Sequence, residues 1–138
     1  MSTDSSYYRS AQTDEVTIVT ILDPELLCDE RERFYGLADN LGSNGASKGV
    51  VLNLENLRSF KSMMLGVLIN FQKRLKDQGK GLKLCSVDAD VLRVFELTKM
   101  NQIFDIQPTE NAAIKSIQGK SADTWISKIF GSFGKSRD

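Results

Sequence analysis

The sequence contains no histidine. That absence removes the commonest acid–base side chain near neutral pH, and with it Ser-His-Asp and Cys-His catalytic arrangements. It also removes the commonest zinc ligand. Cysteine is scarce: Cys28 and Cys85 stand far apart and form no C-x-x-C pair. A disulfide framework is therefore not expected, and reduced thiols suit a cytoplasmic protein. There is no G-x-G-x-x-G and no Walker-type loop, so no phosphate cradle of either kind is encoded. No apolar run approaches the roughly 20 residues of a membrane span. Residues 1–14 are polar and lack the apolar core of a secretory signal. Lys plus Arg and Asp plus Glu balance at 18 each, so no net field attracts nucleic acid or an anionic membrane. These absences point away from an enzyme, a metal site or a cofactor.

What is present suits one small domain. The chain has 138 residues, 41% hydrophobic and 26% charged, the ordinary balance of a soluble globular fold. Residues 1–14 read as a flexible tail in which Tyr7 and Tyr8 are able to add an edge strand. Residues 16–22 are β-branched and read as a strand closed by Asp23 and Pro24. Leu26, Leu27, Phe34, Leu37 and Leu41 then recur at helical spacing. Residues 49–54 form a short apolar run, as a strand buried on both faces would. A helix over about residues 63–78 places Met64, Val67, Leu68, Phe71 and Leu75 on one face. Residues 82–87 read as a strand, and Asp88 is placed to cap a short helix carrying Val91, Leu92 and Phe95. Residues 103–106 form a last short strand, and Pro108, Thr109 and Glu110 open a last helix reaching Ile117. Strands and helices therefore alternate, the pattern of an α/β fold with a parallel or mixed sheet and crossover helices.

Two stretches carry functional information. The first, residues 54–66, joins a buried strand to an amphipathic helix. Ser62 falls where that helix should begin. One reading makes it an N-cap whose hydroxyl accepts a first-turn N–H. The other makes it a phosphoacceptor, with a phosphate facing the positive end of the helix dipole beside Lys61. The second, residues 119–138, carries Trp125, Ile126, Ile129 and Phe130 at helical spacing. It reads as an amphipathic arm that covers the domain or engages a partner, and its few basic residues argue against a membrane-surface helix. Cys85 lies in an apolar strand and reads as an inert buried thiol. Cys28, at a predicted helix start, is surrounded by acidic residues that oppose thiolate formation.

The order of these blocks resembles the STAS family, the sulfate transporter and anti-sigma factor antagonist domains. Leu52, Asn53 and Leu54 match its apolar-Asn/Asp-apolar strand end. Residues 61–66 match its loop and helix start, residues 79–85 its next strand, and residues 94–106 its late helix and final strand. The resemblance spans about residues 16–117. It implies an α/β domain over residues 15–118, with a mixed sheet of four or five strands flanked by about four helices, plus the C-terminal arm. It also implies cytoplasmic partner switching without a cofactor. The unphosphorylated domain binds an anti-sigma factor with serine kinase activity and frees a sigma factor. Phosphorylation ends the binding, and a phosphatase restores it. The residue matching the family phosphoserine is Ser62.

The match departs from the family pattern beside that serine. Lys61 stands where the family has Asp, and Met63 and Met64 replace its second Ser and Gly. Flexible methionines suit an adaptable binding surface. Lys61, Ser62, Met63, Leu65 and Ile69 are therefore the expected partner-binding residues, with Ser62 the expected phosphorylation site. The altered sequence also leaves open an interaction or scaffold module that is never phosphorylated.

Overall fold

The computed structural model describes residues 3, 4, 6–13 and 15–119. The expected arm over residues 119–138 lies outside them but for Gly119. Six strands form one sheet in sequential order: β1 Thr3–Asp4, β2 Tyr8–Thr13, β3 Val16–Ile21, β4 Gly49–Asn53, β5 Gly81–Cys85 and β6 Asp105–Gln107. β1, β2 and β3 pair antiparallel, whereas β3 to β6 pair parallel, so the sheet is mixed. Parallel neighbours need crossovers, and α1 Arg31–Gly42, α2 Ser62–Lys76 and α3 Ala89–Leu97 supply them. α4 Glu110–Gln118 follows β6.

The pleat sorts side chains between two cores. Val19, Ile21, Val50, Leu52, Leu82 and Leu84 face α1, α2 and α3 in the larger one. There Phe34 of α1 stacks on Phe71 of α2 with ring centroids 4.0 Å apart and planes within 6°. Val16, Val51 and Cys85 face the other way and pack with Ala113 of α4. β4 is buried along its whole length because helices cover both of its faces.

Helix starts follow local chemistry. The Asp88 carboxylate accepts the Asp90 N–H at 3.1 Å, and the Thr109 hydroxyl accepts that of Ala112 at 3.1 Å, as the sequence implied.

Three expectations need correction. Residues 8–13, read as part of a tail in which only Tyr7 and Tyr8 are able to add a strand, form β2, which begins at Tyr8 and pairs along its length with β3. The helical spacing that began at Leu26 is broken: Pro24–Leu27 is a 3₁₀ turn whose Asp23 side chain accepts the Glu25 N–H, and α1 starts only at Arg31. The last strand begins at Asp105, because a 3₁₀ turn over Met100–Gln102 precedes it, burying Phe104 and leaving Ile103 exposed.

Candidate functional site

β4 ends at Asn53, which is only 4% exposed. Its side chain organises the loop towards α2. The Asn53 Oδ1 accepts the Glu55 N–H at 2.8 Å, while Nδ2 donates to Glu110 Oε2 at 2.8 Å and to Glu55 Oε1 at 3.4 Å. One amide thus joins the ends of β4 and α4. The Leu54 N–H bonds to the Cys85 carbonyl at 3.0 Å, tying the same loop to β5. Asn56 Nδ2 donates to the Ile21 carbonyl at 3.2 Å, and the Phe60 ring lies 5.1 Å from that of Phe95. These contacts deliver the chain to the start of α2.

Cys85 closes this floor from the sheet side. Burial pushes its thiol up from 9.0 to about 11. The Ser86 hydroxyl opposes the shift, while the Glu110 and Glu55 carboxylates reinforce it. The group is a neutral thiol at physiological pH and a poor nucleophile, in line with the sequence reading. Cys28 is buried as well.

α2 itself begins without a side-chain cap. Lys61 is the N-cap, in extended conformation at φ −99° and ψ 154°, and Ser62 is already the first helical residue. The capping role read for Ser62 is therefore overturned. A capping side chain must project from the extended residue before the helix, and here that residue is a lysine. Ser62 is left exposed at a terminus that no side chain caps, where the Met64 N–H bonds to the Lys61 carbonyl at 2.9 Å.

The other expected partner-binding residues distribute unevenly. Met63 is 46% exposed and Ile69 37%. Leu65 is half-buried and packs against the main core. Seven positions are about two helical turns, so Ser62, Leu65 and Ile69 lie along one stripe, opposite Met64, Val67, Phe71 and the rest of the buried face. Met63 stands to one side of that stripe, and Lys61 precedes it.

Two features of this surface escaped the sequence reading. Ile103, 48% exposed, is brought beside α2 by the hydrogen bond from Gln72 Nε2 to its carbonyl at 3.4 Å. Only the sheet order reveals that neighbour, 31 residues away in sequence. Between Glu55 and Asp77 the chain also carries Arg58, Lys61, Lys73, Arg74 and Lys76 and no acidic residue. That signal is legible in the sequence: the loop and helix are basic within a chain of zero formal net charge.

A separate cleft of about 420 Å³ opens between α3 and β6, where Val87, Leu92, Ile106 and Pro108 meet Glu96, its one carboxylate. Among the described residues no group of three or more Cys, Asp or Glu is placed to hold a metal ion, and no helix is long and apolar enough to cross a membrane.

A mixed sheet crossed by helices, with an exposed serine opening an amphipathic helix, defines a small α/β domain. The chain belongs to the STAS domain family, whose model matches residues 7–113. It is 30% identical over 82 residues to a Thermotoga neapolitana protein named as a candidate anti-sigma factor antagonist, a homolog of TM1081; the match covers 59% of this chain and 72% of that one. The solved structure of TM1081 itself superposes with a TM-score of 0.68 at 26% identity, covering 79% of this chain and 86% of that one. At 19% identity the anti-sigma factor antagonist SpoIIAA, solved in its unphosphorylated form, shares the fold, with a TM-score of 0.63 over 81% of this chain and 96% of that one. The protein is thus an anti-sigma factor antagonist-like STAS protein.

Proposed function

We propose that this protein works in the cytoplasm as the antagonist in a partner switch. Its α2 surface binds an anti-sigma factor with serine kinase activity, and phosphorylation of Ser62 releases that partner until a phosphatase removes the phosphate. It makes no direct contact with nucleic acid. The observation that carries this reading is the exposure of Ser62 at the uncapped start of α2, beside exposed Met63 and Ile69. A phosphate there meets a helix N-terminus and Lys61, so the domain tolerates it. A partner surface packed on Met63, Leu65 and Ile69 does not, because burying a dianion against apolar side chains is costly. One modification therefore changes binding without unfolding the domain.

The test begins with capture from the native host by wild type and by Ser62→Asp, read by mass spectrometry, followed by titration with the purified kinase-type partner. Wild type binds, Ser62→Asp binds at least tenfold more weakly, and partner plus ATP adds phosphate at Ser62. Equal affinity of the two proteins contradicts the switch.

The second reading, a constitutive interaction or scaffold module, is favoured by Lys61 in the place of the family Asp. A kinase site built to receive an acidic residue would meet a reversed charge. In that case the partner binds with no phosphate transfer, and Ser62→Ala functions as wild type.

A further inference from the structure

The face that α2 turns to solvent carries unpaired charge of one sign. Steps of three, four and seven residues separate Ser62, Leu65, Ile69 and Lys76, so Lys76 extends the exposed stripe by two helical turns. Lys61 stands just ahead of Ser62 at the other end. Both lysines are exposed, and among the described residues neither makes an ion pair. The 15 residues of α2 set the two ends about 22 Å apart. Between them lie Leu65 and Ile69, with Ile103 alongside.

The carboxylates that border α2 in sequence or through an ion pair are already engaged. Asp77 is held by Lys73 at 3.2 Å and Asp39 by Arg74 at 3.0 Å, while Glu55 turns back to the Asn53 amide at 3.4 Å. The 3₁₀ turn Met100–Gln102, which presents Ile103, carries no charge. What remains is an apolar centre with a free cation at each end.

We propose, on the reading that the α2 surface is the docking site, that the partner is acidic where it meets α2. Its surface has an apolar centre that seats Leu65, Ile69 and Ile103, and a carboxylate at each end for Lys61 and Lys76. An apolar core within a polar rim is the usual anatomy of an interface. Rim charges of opposite sign speed encounter and reject wrong partners. The arrangement also gives phosphorylation an electrostatic route to release. A phosphate on Ser62 brings about −1.5 to −2 charges to the Lys61 end. That end changes from positive to negative and repels the carboxylate it had attracted. The Lys76 end lies beyond the roughly 8 Å screening length of physiological salt and keeps its attraction.

The probe is the protein that wild type captures from the host, purified after its identification. Association and dissociation rates with the full chain are measured at 0.1 M and 1 M NaCl, where the screening length falls from about 10 Å to about 3 Å. Lys61→Glu and Lys76→Glu should each slow association roughly fivefold or more at the lower salt, and the deficit should close at the higher. Lys61→Gln and Lys76→Gln should fall between the reversals and wild type. Lys115→Glu, on α4 across the sheet, changes net charge equally and should bind as wild type. Ile69→Ala tests the docking site without touching charge and should speed dissociation. Far-ultraviolet circular dichroism checks that each variant folds. If Ile69→Ala weakens binding while both reversals leave association and its salt dependence unchanged, the acidic partner is overturned and the docking site stands. If Ile69→Ala and both reversals bind as wild type, or nothing is captured, the docking site falls and the acidic partner with it. A loss in Lys115→Glu equal to that of the reversals assigns the effect to net charge and overturns the proposal as well.

Discussion

Asn53→Asp removes a hydrogen-bond donor and adds a negative charge where two glutamates already converge. The STAS pattern accepts either Asn or Asp at this position, but here the Asn53 amide donates to Glu110 at 2.8 Å and to Glu55 at 3.4 Å. Losing a hydrogen bond to a charged group costs about 1.5–3 kcal/mol. Two carboxylates held at that separation repel by about 1.5–6 kcal/mol for effective dielectric constants between 80 and 20. Glu55 is exposed and Glu110 only half-buried, so both carboxylates are able to move away through solvent and the lower part of that range applies. A net loss of about 3–4 kcal/mol at pH 7 is expected, a large share of the roughly 5–15 kcal/mol that holds a domain together. The loss depends on pH with a definite sign. The crowded site retains a proton in the folded variant that ordinary carboxylates near pKa 4 release on unfolding. The folded variant thus binds more protons than the unfolded one, and the deficit shrinks as pH falls from 7 towards 4. Urea denaturation of wild type, Asn53→Asp and the uncharged control Asn53→Ser at pH 7 and pH 5 measures this. Asn53→Ser should lose about 1–3 kcal/mol at both pH values, since it leaves polar groups unsatisfied without adding charge. Asn53→Asp within about 0.5 kcal/mol of wild type at pH 7, less than one ordinary hydrogen bond, refutes the reasoning. So does a loss that does not change with pH.

Other outcomes follow from the same contacts. Ser62→Ala should change stability by less than about 0.5 kcal/mol in chemical denaturation, because Ser62 caps nothing, whereas Thr109→Ala should lose about 1 kcal/mol with its cap. Phe71→Ala, which removes the ring stacked on Phe34, should cost about 3–5 kcal/mol. The Cys85 thiol is raised from 9.0 to about 11 in the fold, so the unfolded chain loses this proton first. Stability should therefore fall as pH rises from 9 towards 11, and Cys85→Ala should show a smaller alkaline loss in pH-dependent denaturation.

The parallel half of the fold was legible because its strands are short apolar runs that nothing else explains. β4, buried on both faces, and the α2 stripe of Met64, Val67, Leu68, Phe71 and Leu75 followed directly from periodicity. β2 was obscured because its side chains are mostly polar: Arg9 and Thr13 are exposed and Gln12 half-buried, and its partner is visible only once β3 is placed. The break before α1 was missed because Leu26 and Leu27 are buried and apolar whether the turn is 3₁₀ or α. Asp23-Pro24 was read as ending the strand when it also begins a turn of its own. At the candidate site, burial patterns separated Met63 and Ile69 from the core stripe, but they failed to fix the helix start to within one residue. That one residue decides whether Ser62 caps the helix or stands exposed on it. Ile103 joins the surface through contacts between distant segments, which no local pattern encodes.

The central claim is that the α2 surface binds a protein partner and that Ser62 governs the binding. The most direct test is isothermal titration of the captured kinase-type partner into wild type, Ser62→Asp and Ser62→Ala. The account predicts that Ser62→Ala matches wild type while Ser62→Asp weakens Kd by at least tenfold, about 1.4 kcal/mol or more. Indistinguishable Kd values for wild type and Ser62→Asp would contradict it.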